Sequence, residues 1–111
     1  MRKTDSLGHF AQVVLTAVMS LPKSDAYGFQ IYEKVSELTG DDINIGSIYV
    51  TLERLEAKGY ISSIPAKETT ERGRSPTCIY RLEPSGLAAL KNSQVKSRRV
   101  STLFFKLLRI K

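Results

Sequence analysis

A row of polar side chains near the middle of the sequence has the chemistry needed to contact an anionic polymer. Its members recur every three or four residues, so a helix would align them on one face. They are Ser47, Thr51, Arg54 and Lys58. Hydroxyls and ammonium groups donate to phosphates, and a guanidinium can fork onto guanine. The row therefore suits duplex DNA; the alternative is an ordinary surface helix whose charges only confer solubility.

The segment that carries this row, residues 44–60, has the pattern of an amphipathic helix. Its opposite side is apolar and is predicted to be buried; it consists of Ile45, Ile48, Leu52 and Leu55. Asn44 can cap the first turn and Gly59 can end the last one. Because one side must be covered by a core, the polar row is expected to face outward.

A first helix is predicted over residues 7–21, which end at Pro22. Its apolar residues at helical spacing are Leu7, Phe10, Val14, Ala17, Val18 and Leu21. Either Asp5 or Ser6 is expected to cap its start.

A second helix is predicted over residues 26–39, with Ser24 or Asp25 at its start and Gly40 just beyond its end. Its predicted buried residues are Tyr27, Ile31, Val35 and Leu38. Only a short turn separates it from the helix at 44–60. This arrangement is that of a helix-turn-helix, whose second helix can enter the major groove of DNA.

The pattern then changes to that of strands over residues 60–65 and 77–82, which are predicted to pair as a hairpin. The connection between them is long and polar, and it is expected to project as a mobile wing. Cations on such a loop suit a narrow minor groove or its phosphates, although a solvated loop charge is the alternative. The wing cations are Lys67, Arg72 and Arg74.

A last helix is predicted to begin near Pro84 and to continue to the C-terminus. An apolar stripe in its second half consists of Val100, Leu103, Phe104, Leu107 and Leu108. Residues 91–99 contain almost no large apolar side chain. Either the helix bends there, or its two halves face different neighbours, the second half a partner chain.

Charge is distributed unevenly along the 111 residues, whose formal net charge is +6. The last 21 residues, 91–111, hold seven basic residues and no acidic one, so the preceding part carries about −1. The total charge therefore does not show that the preceding part binds DNA; only the local arrangement of its cations can.

Several functions are disfavoured by what the sequence contains. Cys78 and His9 are the single residues of their kinds, so neither an internal disulfide nor a clustered metal site is expected. No catalytic triad, supported carboxylate pair or phosphate-binding glycine loop can be assembled. No apolar run of about 20 residues or signal-peptide pattern is present. We therefore expect a cytoplasmic protein that is not an enzyme and needs no cofactor.

Four segments together resemble a PadR-type transcriptional regulator. They are LGHFAQVVLTAVMSL (7–21), AYGFQIYEKV (26–35), GSIYVTLERLEAKGYISS (46–63) and ERGRSPTCIYRLEPSGLAAL (71–90). The resemblance implies a homodimer that represses transcription from a palindromic site and is released by a small, often phenolic or drug-like, effector near the dimer interface. Two departures are the SPTC segment after the wing arginines and a short last helix, which resembles the subgroup without a long C-terminal coiled coil.

The predicted fold is mainly α with a small β-hairpin: a winged helix-turn-helix over residues 1–83 and a C-terminal dimerisation helix over 84–111. Tyr49 matches a recurrent tyrosine of the family, and it is expected to divide its ring and hydroxyl between core and phosphate. At the start of the second helix, free backbone N–H groups of Tyr27 and Gly28 suit a phosphate, with core packing of Tyr27 as the alternative. The predicted dimer contacts are Phe10, Leu103, Phe104, Leu107 and Leu108.

Two other functional classes remain open. The charge of about −1 outside the tail is compatible with a winged-helix module that binds a protein and no DNA. The tail, with cations beside Phe and Leu, also has the composition of a membrane-surface helix, although burial in a dimer explains its apolar residues equally well.

Overall fold

The computed structural model describes residues 7–65 and 78–110. Its elements are α1 (His9–Ser20), α2 (Gly28–Thr39), α3 (Ile45–Ala57), β1 (Ile61–Pro65), β2 (Cys78–Leu82) and α4 (Pro84–Ile110). This order confirms the predicted mainly helical fold with one antiparallel hairpin. The predicted caps Asp5 and Ser6 lie outside the described residues, and α1 begins after Gly8 without a side-chain cap.

The core lies where the first three helices and the hairpin meet. Leu15, Ile31 and Ile48, one from each of these helices, are completely buried. Burial of a side chain of this size stabilises the fold by about 1.5–3 kcal/mol relative to exposure. Helix α1 is central, because it contacts α2, α3, α4 and β2. The core therefore fixes α3 against the body of the protein by one side only.

Local signals set both ends of α3, as the sequence predicted. The Oδ1 atom of Asn44 accepts a hydrogen bond of 2.7 Å from the backbone N–H of Gly46. Gly59 follows the helix with φ of 81°, a left-handed conformation that glycine adopts without steric cost. At the preceding turn Gly40 ends α2 with φ of 73°. Asn44 and Gly59 therefore set the two ends of α3, and Gly40 sets the end of the helix before it.

Two residues predicted to be buried are exposed. Ile45 is 40% exposed and Leu38 is 51% exposed. Both lie on the apolar arcs of their helices, but each stands at a helix end, where the neighbouring elements no longer cover the arc. Leu38 borders a surface hollow between α1 and Gln94 of α4. Helical periodicity identified the correct side of each helix but not how far along it the core extends.

The start of α2 also differs from the prediction. The helix begins at Gly28, and no side chain caps it; Lys23–Asp25 forms a short 3-10 turn instead. The reason is pairing with the hairpin, because Tyr27 forms an isolated antiparallel bridge with Ile79. The N–H of Tyr80 also donates to the carbonyl of Ala26 over 2.9 Å. This pairing holds the chain extended where the sequence predicted helix.

The two strands pair antiparallel from Ile61 with Leu82 to Pro65 with Cys78, as predicted. The hydroxyl of Ser63 donates to the Glu56 carboxylate over 2.8 Å, which joins β1 to α3. The wing cations Lys67, Arg72 and Arg74 lie outside the described residues.

Helix α4 is a single helix of 27 residues that runs without interruption through 91–99. Its first part packs on the body through the buried residues Gly86, Leu90 and Ser93. A Cβ atom on Gly86 would overlap the backbone carbonyl of Tyr60, so glycine permits this close approach. The amide of Gln94 also donates to Gln12 of α1 over 2.8 Å. Every residue from 94 to 110 is exposed.

We expect Asn44→Ala to lower the free energy of unfolding by about 1 kcal/mol, because it removes the cap of α3. Asn44→Ser should retain most of the stability, since serine also caps. Asn92→Ala is the matched control, because Asn92 is exposed in the interior of α4. Urea denaturation followed by circular dichroism measures all three, and equal stability of Asn44→Ala and the native chain would contradict the capping role.

Candidate nucleic-acid interface

The polar row of α3 is open to solvent. Ser47, Arg54 and Lys58 are exposed, and Thr51 is half-buried on the side nearer α1. The opposite side of the helix is tied to the core, with Ile48 at 0% exposure. The helix therefore presents two hydroxyls and two cations outward, as its periodicity predicted.

Arg54 retains its full capacity to donate hydrogen bonds to a ligand. Among residues 7–65 and 78–110, no carboxylate forms an ion pair with its guanidinium. An arginine has five N–H donors in a planar fork, which matches the O6 and N7 acceptors of guanine in the major groove. Its position on the exposed side of α3 makes it the residue best suited to read a base.

Two hollows border the polar row, and Phe10 of α1 lines both. One, of about 400 Å³, lies beside Ile43, Ser47 and Val50. The other, of about 620 Å³, lies between the start of α1 and the second half of α3. Thr51 and Arg54 border both. Helix α3 therefore stands out from the surface beside these hollows. A helix of about 10–12 Å diameter fits a major groove about 12 Å wide.

Tyr49 packs over the first residue of α2. It is 46% exposed, and a Cβ atom on Gly28 would lie 2.7 Å from its Cζ atom. Glycine at position 28 is therefore what lets the ring lie against the start of α2. The ring thus covers Gly28 while almost half of the residue remains exposed; contact of its hydroxyl with a phosphate stays a prediction.

The backbone at Tyr27 corrects one detail of the predicted phosphate contact. Its N–H is not free, because it donates to the carbonyl of Asp25 over 2.8 Å. Gly28 is buried. The chain thus brings Tyr27, Gly28 and Tyr49 together beside α3, although it uses one of the backbone donors itself.

Tyr80 lies on the hairpin behind α3 and contributes packing, not charge. Burial raises the pKa of Tyr80 above its ordinary value of 10.0, and the nearby groups that raise this pKa further are Cys78, Tyr49, Glu56 and Glu53. At neutral pH its hydroxyl is therefore protonated. Within the described part of the chain, no group of three or more His, Cys, Asp or Glu residues is arranged to hold a metal ion.

The predicted dimer contacts fall in two places. Phe10 is half-buried at the start of α1 and lines the larger hollow. The others lie on α4 and are more than half exposed; they are Leu103, Phe104, Leu107 and Leu108. Phe105, which the sequence also places in this apolar patch, is 57% exposed and meets Phe104 edge to face with ring centroids 5.0 Å apart.

No described helix is both long enough and apolar enough to cross a bilayer.

The sequence model of the Transcriptional regulator PadR-like family matches residues 17–92. This match covers more than half of the chain, which therefore belongs to the PadR-like family of transcriptional regulators. The protein is accordingly a DNA-binding regulator of transcription with a winged helix-turn-helix fold. The matched region ends at residue 92, next to Ser93, the last buried residue of α4.

Solved structures support the fold. A PadR family transcription regulator from Clostridium difficile R20291 aligns with a TM-score of 0.74 and 23% identity over 91% of this chain and 99% of its own. A transcriptional regulator from Clostridium thermocellum aligns at 0.72 and 24% identity, over 89% of both chains. A PadR family regulator from Eggerthella lenta aligns at 0.71 and 23% identity, over 90% of this chain and 84% of its own. No curated protein matches this chain.

We expect Gly28→Ala to lower the free energy of unfolding by about 1–3 kcal/mol, because the added methyl overlaps the Tyr49 ring. In a Tyr49→Ala background, where the ring is absent, the same substitution should cost close to nothing. A double-mutant cycle measured by urea denaturation gives the coupling between the two positions. Additive effects would show that the ring does not rest on Gly28.

Proposed function

We propose that the chain is a homodimeric repressor that inserts α3 into the major groove of a palindromic operator. The observation that supports this most strongly is the open polar row of α3, which two hollows border. Arg54 forks onto a guanine, and Ser47 and Thr51 donate to base edges or phosphates. Lys58 contributes affinity through a phosphate.

Residues beside α3 fix the position of the helix on the duplex. Tyr49 directs its hydroxyl to a phosphate beside the start of α2, where the positive end of the helix dipole at Gly28 favours an anion; the N–H of Tyr27 is already used by Asp25 and adds no donor. On the wing, Arg72 and Arg74 reach the minor groove or its phosphates, and Lys67 adds a weaker contact.

We propose that 84–111 form the dimer contact and that 1–83 form the DNA-binding part. A single recognition helix reads only a few base pairs, so specificity needs two copies on a symmetric site. The support is the apolar stripe of α4, which the chain itself leaves uncovered; Phe104, for example, is 54% exposed. Monomers rarely expose apolar patches of this kind. Twofold pairing of this stripe with the region of Phe10 would bury both.

Release by a small aromatic effector completes the proposal. The hollow of about 620 Å³ beside α1 has a volume typical of ligand sites and an apolar lining that includes Phe10 and Leu55. Arg54 and Lys58 stand at the same hollow. An effector bound in this hollow would contact α3, so the effector and DNA would compete for the protein. Such a regulator acts in the cytoplasm.

Selection of bound duplexes from a random pool tests the operator. An enriched palindrome supports both base reading and a twofold dimer, and absence of any enriched sequence would overturn sequence-specific binding.

On the selected duplex, Arg54→Ala should weaken binding by about 1–3 kcal/mol, because a bidentate contact to guanine is lost. Lys34→Ala is the matched control. This substitution removes the same charge at a position away from α3, because Lys34 lies on α2, where it pairs with Glu37. Fluorescence anisotropy measures both. Equal effects of the two substitutions would show that Arg54 contributes only charge.

Phe104→Glu should convert the dimer to a monomer, because a carboxylate cannot be buried in an apolar contact without a partner. Val95→Glu introduces the same charge on the opposite side of α4 and should leave the dimer intact. Sedimentation equilibrium distinguishes them. A Phe104→Glu chain that remains dimeric would place the dimer contact elsewhere.

A further inference from the structure

Most cations of α4 lie along one side of the helix, where Val95 is also exposed, and neither the fold nor the proposed operator contact uses this side. Five of them are exposed and fall within an arc of about 100° on the helix. We call this surface the basic ridge; it consists of Lys91, Arg98, Arg99, Lys106 and Arg109. At about 1.5 Å per residue it is about 27 Å long. No acidic residue occurs from position 84 to position 110.

The ridge has no counter-charge within the described residues. The ion pair observed there is Lys34 with Glu37, on α2, and no carboxylate pairs with a ridge residue. Like charges one helical turn apart, such as Lys106 and Arg109, destabilise a helix by a few tenths of a kcal/mol. The isolated chain therefore bears an unfavourable charge arrangement that an anionic partner would relieve.

The ridge remains available in the proposed dimer. Its centre lies about 160° around the helix from the centre of the apolar stripe that includes Phe104 and Leu107. Burial of the stripe against a second copy thus leaves the ridge facing outward. The ridge is also separate from the polar row, which lies on α3. A partner of the ridge can bind while the other two surfaces are occupied.

We infer that the basic ridge is a second DNA-binding surface that contacts the phosphate backbone of duplex DNA without reading its sequence. A duplex carries one negative charge per about 1.7 Å of axis, so a length matching the ridge presents about 16 phosphates. Hydroxyls accompany the cations: Ser101 and Thr102 line a surface hollow with Lys106, Arg109 and the ring of Phe105. Hydroxyl and cationic donors on one surface are typical of phosphate contacts.

The geometry favours DNA over an anionic membrane. A helix that lies on a membrane inserts its apolar side, and the cations of its polar side attract anionic lipid headgroups. On α4 that apolar side is the stripe, which the proposed dimer buries, so the stripe is not available to insert into lipid. A duplex, in contrast, can contact the ridge while the stripe is buried in the dimer.

The basic ridge gives the regulator a sequence-independent DNA contact in addition to the contacts that the two α3 helices of the dimer make with the operator. Each phosphate neutralised by a ridge residue releases condensed counterions, which makes binding steeply dependent on salt. A dimer carries two ridges, and these can hold flanking DNA or a second duplex segment.

The test uses the full-length chain and a random-sequence duplex that lacks the selected palindrome. The ridge variant carries Arg98→Gln, Lys106→Gln and Arg109→Gln. The matched control carries Lys23→Gln, Lys34→Gln and Lys96→Gln, which remove the same charge away from the ridge. Anisotropy gives the slope of log binding constant against log salt concentration. The ridge variant should reduce the slope by about 2–3, since each lost phosphate contact contributes about 0.9; the control should change it by less than about 1.

Several results would overturn the inference. One is an equal slope for the ridge variant and its control. Another is a ridge variant that loses binding to phosphatidylserine vesicles while its slope on the duplex stays native, which would assign the ridge to a membrane. Arg98→Lys with Arg109→Lys retains the charge and should restore the native slope; a reduced slope in this variant also counts against the inference. Enrichment of the palindrome by the ridge variant should persist, which separates this test from that of the operator contact.

Discussion

The attachment of α3 to the core by one side determines what this protein presents to a ligand. Ile48 and Leu52 are 0% and 1% exposed, and their burial fixes the rotation of the helix about its axis. Because successive residues are about 100° apart, burial of these two turns Ser47 and Arg54 outward. Rotation by one residue would bring the guanidinium toward the core, where an unpaired charge is strongly disfavoured. Apolar packing on one side therefore specifies the polar surface on the other.

Features of the fold that arise from local chemistry could be predicted, and features that arise from contacts between distant residues could not. The side of α3 that faces outward and its cap at Asn44 follow from periodicity and side-chain type. The start of α2 does not, because pairing with β2 holds Tyr27 extended. Exposure of Leu38 depends on how far its neighbours extend. The approach of Tyr49 to Gly28 joins residues 21 positions apart, and no pattern in either segment indicates it.

Helix α4 serves two environments along one continuous rod. Up to Ser93 it belongs to the body, where Gly86 allows close packing on the chain at Tyr60. Beyond that point all its side chains are exposed, with most of the apolar residues on one side and most of the cations on the other. The scarcity of large apolar residues at 91–99 left either a bend or a change of neighbours as the prediction, and the helix is continuous through this segment. Only a helix that continues straight through this region keeps both sides in register along its length, so each side forms an extended surface.

The most direct test of the account concerns the hydrogen bond between Arg54 and guanine in the major groove. In the selected operator, guanines are replaced one at a time by 7-deazaguanine, which lacks the N7 acceptor but still pairs with cytosine. The account predicts that one guanine in each half-site is sensitive, that its replacement weakens binding of the native dimer by about 5-fold or more, and that the Arg54→Ala variant is indifferent to it. Equal loss of affinity by the native and variant dimers at every sensitive guanine would contradict the account.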